Sequence, residues 1–266
     1  MYATHYHRAK SLDDAVAKLK SGEDAKLLGG GQTLIATMKQ RLAAPSDVID
    51  VTRIPELKGI TVSGDSVTIG AASTHSQVSQ SADVKRAIPA LAYLAGTIGD
   101  PAVRNMGTLG GVIANNDPAA DYPAAALALG ATIHTNKGSH AADDYFRGMF
   151  ETALDDDEII TKVSFKIPAK AGYEKFRNPA SRYAMCAVFV AKAKDGPVRV
   201  AVTGSGSDGV FRVSRMEEAL QSNFAPAALD GITVSAGDMI SDIHGSAEYR
   251  AHLVGVLAKR AVAKAA

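Results

Sequence analysis

The stretch Leu27-Leu-Gly-Gly-Gly-Gln-Thr-Leu34 decides how the first part of the chain is interpreted. The segment Ala25–Leu28 predicts a short strand that runs into the glycines, and Leu34–Lys39 has helical spacing. Glycines let backbone amides approach an anion, and a helix N-terminus favours negative charge, so these residues predict a phosphate ligand. A tight strand-to-helix turn without a ligand explains the same residues, and this segment alone leaves both interpretations open.

A second glycine-rich stretch, Arg104–Asp121, contains Gly107-Thr-Leu-Gly-Gly111. The hydroxyl of Thr108 can donate to a phosphate or ribityl oxygen, and Asp117 or Asp121 can accept from sugar hydroxyls or a ring N–H. We predict a polar, glycine-rich loop over residues 99–116 that admits a ligand against the backbone. The alternative is a long surface loop with Asx turns.

Apolar spacing around these stretches predicts a mixed chain of helices and strands. A capped helix is expected after Ser11, a strand at Asp47–Val51 and a hairpin around Gly64. Further helices are predicted near Ser73–Ser81, Pro89–Gly96 and Tyr122–Leu129, and further strands at Ala131–Thr135 and Ile159–Ile167. A linker is predicted at Pro168–Gly172, followed by an antiparallel meander with helices on one side. The predicted strands are Tyr173–Phe176, Met185–Ala193, Val198–Val202 and Val210–Val213, and the predicted helices are Ser214–Gln221 and the segment from Ser246.

Composition excludes several classes of protein. The chain has 266 residues, of which 46% are hydrophobic and 21% charged, which is typical of a folded protein of one large or two modest domains. Its 29 basic and 28 acidic residues give a formal charge of +1, so a global electrostatic footprint for nucleic acid is absent. The apolar runs are too short for a membrane span, and the N-terminus lacks a secretory pattern, so a cytoplasmic protein is expected.

The single cysteine, Cys186, restricts the redox chemistry. One thiol cannot form an internal disulfide, hold an iron–sulfur cluster or build a multi-cysteine zinc site. Because Cys186 lies in an apolar run, we interpret it as a core thiol. If the protein handles electrons, any cluster belongs to another chain.

Other candidate motifs are assigned structural roles. No Gly-x4-Gly-Lys-Ser/Thr string occurs, which argues against a P-loop kinase or nucleoside triphosphatase. Gly204–Gly209 fits Gly-x-Gly-x-x-Gly but precedes a predicted strand, so we interpret it as a loop between strands. His5 and His7 are expected at a surface strand end, and Asp155–Glu158 in a solvated turn. His75 is either catalytic or a satisfied histidine beside the predicted ligand site.

Together the two glycine stretches resemble the FAD-binding medium subunit of the molybdenum hydroxylases, a family that includes xanthine dehydrogenase and aerobic carbon monoxide dehydrogenase. That subunit carries an Ala/Gly-Gly-Gly-x-Ser/Thr-Leu loop and a Gly-Thr-Ile/Leu-Gly-Gly loop. Gly70-Ala-Ala-Ser-Thr-His75, Ile98–Asn105 and Tyr173–Phe176 also resemble family segments, so the resemblance covers nearly the whole chain. Met106 departs from a position that is often polar or basic, and Gly29 replaces the commoner alanine.

The resemblance implies an α+β fold and an FAD site. Residues 1–170 would form a two-subdomain PCMH-type FAD-binding fold, with subdomains of about 1–55 and 56–170, and residues 171–266 a C-terminal α+β domain with a small antiparallel sheet. The glycine loops would hold the FAD pyrophosphate, Asp121 would contact the ribityl or phosphate-proximal region, and Lys175 would lie beside the isoalloxazine ring. The cofactor-binding residues implied are Leu28, Gly29, Gly30, Gly31, Gln32, Thr33, Leu34, Thr74, Gly107, Thr108, Gly110, Gly111, Asn115, Asp117, Asp121, Ile159, Ile160 and Lys175, with no catalytic or metal-binding residue.

The function implied is electron transfer within a larger enzyme. A large partner subunit would hold the molybdenum cofactor and a small one two [2Fe–2S] clusters, in a dimer of heterotrimers. Electrons would pass through FAD in this chain to NAD, a quinone or oxygen, because flavin accepts single electrons and delivers one or two. Two alternatives stay open: a stand-alone FAD oxidoreductase of the vanillyl-alcohol-oxidase type, and a non-catalytic nucleotide- or phosphate-binding module.

Overall fold

A three-stranded parallel sheet carries the first glycine loop, Gly29–Leu34. The computed structural model of the protein describes residues 1–265. In the first sheet β1 and β2 each pair with β3, in the order β1-β3-β2. Ser11 caps the first helix by accepting from the amide of Asp14, as predicted. The elements are β1 (His5–Arg8), α1 (Leu12–Ser21), β2 (Ala25–Leu28), α2 (Leu34–Lys39) and β3 (Asp47–Asp50).

A five-stranded antiparallel sheet forms the middle of the chain, with strand order β4-β5-β10-β6-β7. Its helices cover an apolar core that includes Leu91, Ile113 and Phe165. The elements are β4 (Ile60–Ser63), β5 (Ser66–Gly70), α3 (His75–Gln80), α4 (Ala82–Ala87), α5 (Pro89–Thr97), α6 (Pro101–Met106), α7 (Leu109–Asn115), α8 (Tyr122–Ala128), β6 (Thr132–Thr135), β7 (Ser139–Ala141), α9 (Ala142–Tyr145), β8 (Phe146–Gly148), β9 (Glu151–Thr152) and β10 (Ile160–Lys166).

The predicted loop over residues 99–116 is wrong, because α6 and α7 occupy most of it. Asp100 caps α6 by accepting from the amide of Val103, and Thr108 caps α7 by accepting from Gly111. Gly110 and Gly111 lower the intrinsic helix propensity of this stretch, but tertiary packing outweighs that preference. The helices therefore place the second glycine loop, Gly107–Gly111, at a junction between two short helices.

The four-stranded third sheet is antiparallel, with the order β11-β12-β13-β14. Alternate residues of its central strand face opposite cores: Phe189 packs towards the middle sheet, whereas Cys186 and Val188 pack under the last helix. Cys186 is fully buried, which confirms the core assignment. The elements are β11 (Lys170–Arg177), β12 (Ala184–Lys192), β13 (Val198–Thr203), β14 (Phe211–Arg212), α10 (Ser214–Ser222) and α11 (Ala247–Lys264).

The α+β fold predicted from the sequence is confirmed, and most predicted elements lie within a few residues of those observed. Residues 204–209 form the expected loop between β13 and β14. Because β11 begins at Lys170, the connection from β10 is shorter than the predicted linker. Among residues 1–265, no helix has the length and apolar character to cross a bilayer.

The last helix packs on β11 at Gly172. A Cβ added there would lie 1.9 Å from the carbonyl oxygen of Ala261, so only glycine allows this approach. We expect Gly172→Ala to lower the free energy of unfolding by roughly 1–3 kcal/mol, measured by chemical denaturation. The matched control is Gly255→Ala on the same helix, where the nearest atom to a new Cβ is 3.9 Å away. It should be neutral or stabilising, and equal losses in both variants would contradict the packing explanation.

Candidate functional site

The two glycine loops lie against each other. The Thr108 hydroxyl donates to the carbonyl oxygen of Gly29. Gly30 has a φ of +122°, and a Cβ there would lie 2.1 Å from the carbonyl oxygen of Met106. Both the backbone conformation and the contact with the second loop therefore require glycine at position 30.

The amides of the second glycine loop are used within the protein. Leu109 donates to the carbonyl of Ser73 at 3.0 Å, and Gly110 donates to that of Ala71 at 2.8 Å. A Cβ on Gly110 would lie 2.6 Å from the Cβ of Ala71. The glycines of this loop thus allow close packing on the segment before α3, a role that the sequence alone did not distinguish from ligand binding.

The first glycine loop has amides that remain available. Within residues 1–265, the amides of Gly30, Gly31 and Gln32 donate to no backbone carbonyl. Gly31 also has a positive φ, of +75°. Consecutive amides in such a conformation form a concave group of donors that suits an anion.

A cavity of about 900 Å³ runs along both loops. This volume lies within the range of about 300–1,000 Å³ that is typical of small-molecule sites. Leu28, Gly30, Thr74 and Lys175 do not line it; Thr74 instead caps α3 in a capping box with Gln77. The predicted residues that do line it are Gly29, Gly31, Gln32, Thr33, Leu34, Gly107, Thr108, Gly110, Gly111, Asn115, Asp117, Asp121, Ile159 and Ile160.

One member of a buried ion pair, Asp121, forms part of the cavity wall. The Nζ of Lys175 lies 2.9 Å from Oδ1 of Asp121, and the Tyr173 hydroxyl donates to the same carboxylate. Both charged side chains are only 4% exposed. Lys175 therefore lies behind Asp121 as seen from the cavity, and its ammonium group already has a partner in the protein.

Asp117 is a second carboxylate of the wall and has no ion-pair partner among residues 1–265. Burial raises its pKa, and a hydrogen bond from the amide of Ala119 opposes that effect. Near it, buried Asn116 has a φ of +43° and donates through its side-chain amide to the carbonyls of Gly148 and Glu151. Asn116 thereby fixes the β8–β9 hairpin beside the cavity.

His75 lines the cavity beneath the second glycine loop. Its amide donates to the carbonyl of Gly107 at 3.0 Å, and its ring lies 5.5 Å from that of Tyr122. Burial, with a smaller contribution from Arg104, lowers the pKa of His75 to about 4. The imidazole is therefore neutral near pH 7. Its Nδ1 is buried and has no hydrogen-bond partner among residues 1–265.

Several cavity residues were not predicted from the sequence. They belong to the segment 42–45 after α2, to the turn at Ser181–Tyr183 and to the β8–β9 hairpin around Phe150. Asn178 and Pro179 do indicate a turn, but nothing local indicates that it reaches the cavity. Only tertiary packing brings these segments to the site.

The histidines and acidic residues to which the sequence analysis gave structural roles have partners within the protein. His7 Nε2 lies 2.6 Å from Oδ1 of Asp47 at the edge of the first sheet. In the predicted solvated turn, Asp157 pairs with Lys137 and Lys20, but Glu158 is buried and hydrogen-bonded to His140. The turn is therefore only partly solvated. Within residues 1–265, no three His, Cys, Asp or Glu side chains form a candidate metal site.

Replacing Gly30 tests the contact between the loops. We expect Gly30→Ala to lower the free energy of unfolding by roughly 1–3 kcal/mol, because it combines backbone strain with an impossible contact. Gly59→Ala is the matched control, since Gly59 has a φ of +102° but open space around a new Cβ. Thermal unfolding should show a smaller loss for Gly59→Ala, and equal losses would argue against the inter-loop contact.

The buried histidine predicts a pH-dependent stability. The unfolded chain binds a proton at His75 near pH 6.5, whereas the folded chain resists it until about pH 4. Stability should therefore fall as pH drops from 6.5 to 4, by up to about 3 kcal/mol from this group. His75→Gln should flatten this part of the stability profile in denaturant titrations, with His252→Gln at an exposed position as the control. An unchanged slope in His75→Gln would contradict the assignment.

Comparisons with known proteins agree with this geometry. Residues 2–170 match the family model described as "FAD binding domain in molybdopterin dehydrogenase". The chain is 34% identical to the carbon monoxide dehydrogenase medium chain of Hydrogenophaga pseudoflava over 97% of this chain and 95% of that one. It is 36% identical to the nicotine 6-hydroxylase medium subunit of Paenarthrobacter nicotinovorans, covering 99% and 97%.

The fold agrees as well. A solved structure of carbon monoxide dehydrogenase from Hydrogenophaga pseudoflava superposes with a TM-score of 0.88, at 34% identity, covering 98% of this chain and 96% of that one. The family model matches more than half of the chain, and the similarity to the two medium-chain relatives extends over nearly its whole length. The chain therefore belongs to the FAD-binding subunits of the molybdenum hydroxylases.

Proposed function

We propose that the cavity between the two glycine loops holds FAD, with its pyrophosphate on the first loop. The observation that carries this proposal is that both loops line one cavity and touch through Thr108 and Gly29. The amides of Gly31 and Gln32, which line the cavity and donate to no backbone carbonyl within residues 1–265, are suitable donors to phosphate oxygens. The second loop packs against the first and fixes its position.

The residues present fit a dinucleotide. The glycines of both loops have no side chain that would keep a ligand away from the backbone. A Cβ on Gly29 or Gly111 would also lie only 3.0 Å from the Thr108 hydroxyl oxygen. Asp117 offers a carboxylate acceptor for sugar hydroxyls or a ring N–H. Further contacts are proposed for Thr33, Leu34, Asn115, Ile159 and Ile160, the last two beside the isoalloxazine ring.

We further propose that this chain passes electrons between partner subunits and an external acceptor. FAD, when bound, accepts single electrons and delivers one or two. The protein contributes binding, orientation and exclusion of water, and it needs no nucleophile of its own. The only cysteine is buried in the third-sheet core, and burial raises its pKa to about 11, so it is unsuited to hold a cluster.

The proposed partners are a large molybdenum-cofactor subunit and a small subunit with two [2Fe–2S] clusters. Support comes from the relatives, which are medium chains or subunits of multi-chain enzymes. A dimer of heterotrimers, the acceptor class of NAD, quinone or oxygen, and the cytoplasmic location stay predictions. So do the domain boundaries near residues 55 and 170, although separate sheets lie on either side of each.

Ligand selectivity tests the proposed site. We expect the purified chain, alone or co-expressed with its partner subunits, to retain FAD after desalting and to bind ADP. Riboflavin should bind at least about tenfold more weakly, because it lacks the pyrophosphate that the free amides recognise. Visible absorption and isothermal titration calorimetry measure both properties. Equal affinity for riboflavin and FAD would contradict the proposed role of the first loop.

A matched pair of variants separates binding from folding. Gly31 and Gly64 both have positive φ, but Gly31 lines the cavity and Gly64 lies in the open β4–β5 turn. Gly31→Ala should reduce FAD affinity more than Gly64→Ala; because its Cβ would also lie 2.8 Å from Cγ1 of Ile35, the stability of both folded variants is measured alongside. Retention of ADP without FAD would instead support a nucleotide-binding module.

A further inference from the structure

The buried pair of Asp121 and Lys175 has more hydrogen bonds than a simple surface ion pair. The Nζ of Lys175 lies 2.9 and 3.0 Å from the two carboxylate oxygens, and it reaches the carbonyl of Thr97 at 3.4 Å. The Tyr173 hydroxyl is the further donor to Asp121. Burying two charges is costly unless they are paired and hydrogen-bonded, and this arrangement meets both conditions.

The pair presents its two charges unequally to the cavity. Asp121 lines the cavity, whereas Lys175 does not and contacts the Asp121 carboxylate instead. The nearby wall includes an apolar and an aromatic side chain: Ile98 follows Thr97 in the chain, and burial raises the pKa of Tyr183, with smaller contributions from the charges of Asp117 and Asp121. A flat aromatic ring fits such a wall better than a phosphate does.

We propose that Asp121 sets the reduction potential of the FAD by cancelling the charge of Lys175 at this wall. The inference rests on the proposed FAD site. Two electrons and one proton, supplied by an external reductant and solvent, convert oxidised flavin to its reduced anion, so the ring gains one negative charge. An unpaired ammonium nearby would favour the reduced form, and an unpaired carboxylate would oppose it.

Asp121 is thus a positioning residue in two respects. It holds the Lys175 ammonium in place through both oxygens, and its negative charge cancels the positive charge of that ammonium. Because the effective dielectric constant inside a protein is far below that of water, the loss of either charge should be felt by the ring. The two single-charge variants should therefore shift the flavin potential in opposite directions.

The test is a potentiometric titration of protein-bound FAD at pH 8, in the partner complex, with visible absorption as the readout. In Asp121→Asn, the ratio of reduced to oxidised flavin at a fixed potential should rise at least about tenfold, which is about 30 mV for a two-electron couple. Lys175→Met should shift the ratio in the opposite direction. The double variant should return towards the wild-type value.

Tyr173→Phe is the matched control, because it removes one hydrogen bond to Asp121 and leaves both charges. Its shift should be smaller than that of either charge variant. If Asp121→Asn does not fold, the direction of the Lys175→Met shift decides. Unchanged potentials, or shifts of the same sign in both variants, would overturn the inference while wild-type FAD binding stands. Wild-type protein without FAD, even in the complex, would overturn the proposed function and this inference with it.

Discussion

The contact between the two glycine loops is the constraint on which the site depends. The first loop ends a strand of the parallel sheet, and the second joins two helices of the middle region. Gly30 lies beneath the Met106 carbonyl, and the Thr108 hydroxyl bonds to Gly29. Since no side chain could occupy this approach, the absence of Cβ atoms brings the two regions together and leaves a cavity along their junction.

The glycine stretches in the sequence predicted that other atoms approach the backbone closely, but not whether those atoms belong to the protein or to a ligand. Protein atoms fill the space beside Gly30 and Gly110, whereas the amides after Gly29 stay available. The strands and most helices followed from apolar spacing, because that spacing reflects which face is buried. Residues 99–116 misled the same reasoning, since capping by Asp100 and Thr108 and packing on Ala71 outweigh a composition that favours a loop.

The sequence did not predict which residues distant along the chain contact each other. The resemblance implied that Lys175 lies beside the cofactor, but its partner Asp121 comes from the residue before α8, which strand alternation alone does not identify. The unpartnered Nδ1 of His75 is another such case, because only the packed structure shows what surrounds a ring. Local patterns specify elements and candidate residues, whereas charge balance at a site is a tertiary property.

Strand β11 explains why the third sheet matters to the cavity. Gly172 and Glu174 face the last helix, where the glycine lets α11 approach and Glu174 pairs with Lys264. Tyr173 and Lys175 point to the opposite face and reach Asp121. Because side chains alternate along a strand, one element anchors the C-terminal core with one face and holds the carboxylate of Asp121 in the cavity wall with the other. The third sheet therefore supports the wall of the cavity, although its own core lies elsewhere.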